Sequence, residues 1–128
     1  HQFNCFSCNT PVQYALAEFL QEPAHYKNLG KALQAKRDYF LERMKATPLR
    51  PLPSYGSYFQ LYSYEGVDQA NEHDYAVKLT KEAGVTTIPV SAFYSSPQNN
   101  KVLRFCFAKK EETLRAAGEK LQALARGR

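Results

Sequence analysis

The sequence has 128 residues, of which 44% are hydrophobic and 23% charged. That balance excludes an intrinsically disordered chain, and no apolar run approaches the roughly 20 residues of a membrane span. The net charge of +5 comes from basic residues scattered over several segments, with Lys36-Arg37 and Lys109-Lys110 the only adjacent pairs, so it reads as a solvated exterior rather than a nucleic-acid or lipid surface.

The length predicts one domain, 1–128, burying roughly two-thirds of the surface its unfolded chain exposes. No internal repeat, low-complexity stretch or inner boundary is visible. The cysteines are Cys5, Cys8 and Cys106. So few, and an odd number, argue for a reducing compartment, by default the cytoplasm. The opening His1-Gln2-Phe3-Asn4 shows no secretory signal. Its lack of Met fits a processed terminus or a piece of something longer.

In chain order, Thr10-Pro11-Val12-Gln13 predicts a helix start, with Thr10 as N-cap, Pro11 in the first turn and Gln13 closing a capping box. That helix runs to about Gln21 with the stripe Val12, Leu16, Phe19 and Leu20, and Pro23 ends it. A longer helix is expected over 24–46, then a short edge strand over 49–52 confined by Pro51 and Pro53. A strand over 58–62 places Phe59 and Leu61 on one face and Tyr58, Gln60 and Tyr62 on the other. A helix over 72–83, capped by Gly84, a β-branched strand over 85–90 and a polar loop over 91–100 follow. A strand over 101–108 and a helix over 111–124, with Leu114, Ala117, Leu121 and Leu124 inward, complete the chain. The order predicts an α+β fold, a small, mainly antiparallel or mixed sheet covered by helices.

The sharpest single residue is Arg104. In its strand Leu103, Phe105 and Phe107 share one face, and Val102, Arg104, Cys106 and Ala108 the other. A guanidinium among small apolar neighbours needs an anion, because it keeps its proton, and its fork matches a carboxylate. The competing reading, which pattern alone favours, is an internal ion pair. Cys5-Phe6-Ser7-Cys8 just before a helix start would suit a thioredoxin-like redox pair facing a cis Pro89. A lone C-x-x-C is weakly specific, however, and no strand precedes it. His1, His25, His73 and Cys106 show no metal-ligand spacing, so no metal is expected. A non-enzymatic binding domain using the aromatic loop at Phe93-Tyr94 is a third reading.

Three segments together resemble the methionine/kynurenine branch of fold-type I aminotransferases. They are His1-Gln2-Phe3…Asn9-Thr10-Pro11-Val12-Gln13, similar to the family's HQ…F…TPxQ; Gly56-Ser57-Tyr58-Phe59, similar to GSYF; and Ile88-Pro89-Val90-Ser91-Ala92-Phe93-Tyr94 joined to Leu103-Arg104-Phe105-Cys106-Phe107-Ala108-Lys109, similar to IPVSxFY and IRFCFAK. The resemblance implies the C-terminal small domain of a pyridoxal 5'-phosphate enzyme that moves an amino group from an L-amino acid to a 2-oxo acid. It implies that Arg104 holds the substrate α-carboxylate, a positioning role, with Phe93 near the substrate side chain. It also implies that Phe6 and Ser7 line the active site of the neighbouring subunit in a homodimer. The family's Schiff-base lysine and phosphate cup lie upstream. No catalytic or cofactor-binding residue is therefore expected within these 128, and taken alone they are expected to bind no cofactor and to be inactive.

Overall fold

The computed structural model describes residues 3–96 and 98–126; His1 and Gln2 of the first resembling segment lie outside them. The chain divides into two compact units, His1–Ala32 and Leu33–Arg128. No helix among the described residues is long and apolar enough to cross a membrane.

The first unit holds helix α1 (Thr10–Phe19), helix α2 (Ala24–Lys27) and the first turn of helix α3 (Leu29–Met44). The cap of α1 is Asn9, not Thr10: its side-chain oxygen accepts from the Val12 amide at 3.3 Å. Asn9 keeps a non-helical ψ of 115°, the geometry an N-cap needs, and Thr10 becomes the first helical residue. Gln13 closes no capping box; its side-chain amide donates to the Cys8 carbonyl at 2.9 Å. The stripe Val12, Leu16, Phe19 and Leu20 forms, but each residue is 45–54% exposed. Every described residue up to Ala32 is exposed.

The helix expected over 24–46 is two helices. Asn28 stands between α2 and α3, and its carbonyl accepts from Ala32 at 3.0 Å. Asn competes with the backbone for hydrogen bonds and Gly30 disfavours helix by about 1 kcal/mol, so the run breaks here.

The second unit continues α3 and adds strand β1 (Arg50–Pro51), strand β2 (Phe59–Ser63), helix α4 (Glu72–Lys78), strand β3 (Ile88–Pro89), strand β4 (Val102–Cys106) and helix α5 (Glu111–Arg126). The sheet order is β1-β2-β4-β3 and every neighbouring pair is antiparallel, which makes the unit the α+β fold expected. Proline sits in the edge strand β1, where it removes no interior ladder bond. A π turn over Leu79–Ala83 extends α4, and Gly84 ends it at φ +63°, a left-handed conformation that glycine adopts without penalty. The strand expected over 85–90 contracts to Ile88–Pro89. Pro89 offers no amide, and Val90–Phe93 winds into a 3-10 turn where sequence reading placed loop.

Side-chain alternation splits the sheet into two faces. Gln60 and Tyr62 of β2 pair with Phe105 and Leu103 of β4, and all four are buried with Phe40, Met44, Tyr75, Leu79, Leu114 and Leu121. The Phe40 ring lies 5.9 Å from Tyr62 and 6.0 Å from Phe105. The other face carries Phe59, Leu61, Ile88, Arg104 and Cys106, and none of these is buried.

Candidate functional site

Arg104 lies mid-strand on that second face, opposite Leu61 on one side and Ile88 on the other. It is half-buried. Its guanidinium carbon is 4.8 Å from the Phe59 ring centroid and 5.0 Å from that of Phe93. Both distances fall within cation–π range, worth about 0.5–2 kcal/mol each depending on desolvation. Its sequence neighbours on the strand are small, but its spatial neighbours are large rings. Among the described residues its guanidinium makes no hydrogen bond and no ion pair, so the internal pairing that pattern alone favoured does not occur there. The shape of the N–H fork matches a planar anion.

Phe93 closes the Val90–Phe93 turn and is 62% exposed. Two charged residues hold the segments that bring it to Arg104. Glu72, the first residue of α4, is buried. One carboxylate oxygen accepts from the Ser91 amide at 2.5 Å; the other accepts from Asn100 at 3.0 Å and Val102 at 3.1 Å. Bonds from N–H groups to an ionised acceptor contribute about 1.5–3 kcal/mol each. Lys101 has φ +57°, a left-handed conformation that non-glycine residues rarely adopt. Its Nζ donates to the carbonyls of Gln69 at 2.7 Å, Ala70 at 2.8 Å and Asp68 at 3.4 Å. Tyr64 beneath it donates to Ala70 at 3.0 Å. Burial, with a smaller contribution from the Glu72 carboxylate, pushes the Tyr64 phenol well above its ordinary range.

Phe6 and Ser7 belong to the first unit and are exposed. Cys5, Cys8 and Cys106 are free thiols, all exposed. Phe3 and Asn4, the described residues before Cys5, form a turn, and no peptide bond among the described residues is cis, so Pro89 lacks the geometry that the redox reading required. No cluster of three or more His, Cys, Asp or Glu that could hold a metal occurs among the described residues.

Residues 1–121 match the family described as aminotransferase class I and II. The chain belongs to that family. It is 43% identical over 125 residues to methionine aminotransferase of Escherichia coli (strain K12), covering 97% of this chain and 32% of that protein. It is 31% identical over 144 residues to human kynurenine–oxoglutarate transaminase 1, covering 95% of this chain and 34% of that protein. A solved structure, YbdL from Escherichia coli, identified with a methionine aminotransferase function, superposes at a TM-score of 0.90 with 43% identity, over 96% of this chain and 32% of its own. The chain thus spans about a third of the length of the relatives it matches.

Family membership implies pyridoxal phosphate. A site for it needs a lysine amine and a phosphate cradle, and the Arg104 face supplies neither. Its neighbours there are Phe59, Leu61, Ile88 and Phe93. Lys101 directs its amine to three carbonyls, Lys78 pairs with Asp68 at 2.8 Å and Lys36 bonds the Lys109 carbonyl at 2.7 Å. These residues do not fit the cofactor by themselves.

Sequence reading missed Phe59, Glu72 and Lys101. The only signal was the alternation that puts Phe59 on the Leu61 face, whose register against Arg104 depends on strand pairing.

Proposed function

We propose that this chain supplies the carboxylate-binding part of a pyridoxal-phosphate-dependent aminotransferase that moves an amino group from an L-amino acid to a 2-oxo acid. The observation that carries the reading is Arg104: a half-buried cation held by two rings, with no acidic partner among the described residues and its donors unused. An amino-acid carboxylate would complete the fork with two parallel hydrogen bonds and fix the orientation of the Cα substituents. Phe93 then lies against the substrate side chain, which suits methionine, an aromatic amino acid or a kynurenine-like donor. The similarity to methionine and kynurenine aminotransferases supports that range.

On this reading the cofactor is held by sequence outside these 128 residues. Phe6 and Ser7, both exposed in the first unit, reach the active site of the second subunit of a cytoplasmic homodimer. Residues 1–128 mixed with pyridoxal phosphate should leave the free cofactor's absorbance unchanged. A new cofactor band would sink this part of the proposal.

The direct test is Arg104→Leu in the full-length enzyme. The amino-acid kcat/KM should fall by about 2–5 kcal/mol, the range for removing one partner of a desolvated charge pair. An unchanged kcat/KM would remove Arg104 from the substrate site.

A further inference from the structure

We infer that Glu72 is a positioning residue that sets the Arg104–Phe93 geometry, an inference that rests on Arg104 being the carboxylate grip. One buried carboxylate holds both ends of the 91–102 segment. It takes the Ser91 amide, two residues before Phe93, and the Val102 amide, two residues before Arg104, together with Asn100. It has no cationic partner among the described residues, so backbone dipoles alone offset its desolvation. A helix start needs no such group: the Asn71 side chain already caps α4 by accepting from Asp74 at 2.9 Å. What Glu72 adds is a fixed separation between the turn carrying one ring and the strand carrying the guanidinium. Lys101 fixes the same strand start through three carbonyls. A glutamine would place an N–H donor against an N–H donor, so one end of the segment must come loose.

The experiment uses the full-length enzyme with its cofactor. Glu72→Gln should raise the amino-acid KM about ten- to a hundredfold, as when a group that orients a binding residue is lost, while kcat changes by less than about threefold. Glu72→Asp, which keeps the acceptor, should recover part of the KM. In an Arg104→Leu background Glu72→Gln should change KM by less than about twofold, because a residue acting through Arg104 has nothing left to position. Equal KM losses in both backgrounds, or a lowered melting temperature with KM unchanged, would overturn the inference. If Glu72→Gln fails to accumulate, Glu72→Asp takes its place with a smaller KM rise expected, and an equal rise in the Arg104→Leu background would again overturn the inference. If Arg104→Leu alone leaves KM unaltered, the carboxylate-grip reading fails first and takes this inference with it, an outcome distinct from a failure of Glu72.

Discussion

The two units of this chain are made from similar residues and put them to opposite use. In His1–Ala32 an amphipathic helix forms with its cap and its stripe, yet no described side chain is buried. In Leu33–Arg128 comparable stripes on α3, α4 and α5 close over one sheet face, and Phe40, Met44, Tyr62 and Phe105 are almost wholly shielded. Periodicity alone therefore makes a helix but not a core. Tertiary packing supplies most helical stability, and only the second unit contains its own.

That contrast can be broken most strongly by truncating one leucine in each unit. In residues 1–128, Leu121→Ala should lower unfolding stability by about 2–5 kcal/mol, since it empties a buried position. Leu16→Ala, at a half-exposed position, should cost less than about 0.5 kcal/mol. Chemical denaturation of both variants checks this. A larger Leu16 cost in the full-length protein would show that the remaining sequence covers the first unit's stripe. Equal costs in the short chain would erase the distinction.

A glycine pair sharpens it. A Cβ added at Gly118 would meet the Arg43 Cβ and carbonyl oxygen at 3.1 Å, while one added at Gly30 meets nothing within 4 Å. Gly118→Ala should thus cost about 1–3 kcal/mol by forcing α3 and α5 apart. Gly30→Ala should gain up to about 1 kcal/mol from helix propensity. Thermal melts of the two variants should move in opposite directions.

The smallest effect concerns the core's polar atoms. The Tyr62 hydroxyl is buried without a described partner, and burial raises its pKa far above the ordinary 10.0. A raised folded-state pKa contributes stability that is complete below the unfolded value and fades as pH climbs through it toward the folded one. Stability should therefore decline above about pH 10. Tyr62→Phe should flatten that decline while changing neutral-pH stability by less than about 1 kcal/mol. An unaltered alkaline profile would assign the loss to other groups.

Much of this was legible in the sequence, for physical reasons that differ by element. α5 and β4 are readable because their buried residues recur at the helical and strand periods without interruption, and Gly84 because only a left-handed cap explains its place. Arg104 stands out because a charge interrupts an apolar strand. The break at Asn28 turns on the local preferences of Asn28 and Gly30, and the shift of the cap to Asn9 on one side-chain hydrogen bond, both below what spacing resolves. β3 was overread because β-branched residues describe a preference, whereas pairing with β4 decides the length. Phe59 and Phe93 come to Arg104 through strand register and a turn, and Glu72 reads as a surface acid at a helix start until its three amides are seen.

Two rings, and no acid among the described residues, hold the Arg104 cation. With Arg104 as the proposed carboxylate grip, an arriving anion would have no described rival to displace, and its departure would leave no charge stranded among acidic groups. Loading and unloading would then need no exchange of salt-bridge partners, so the empty and filled forms would share one side-chain arrangement.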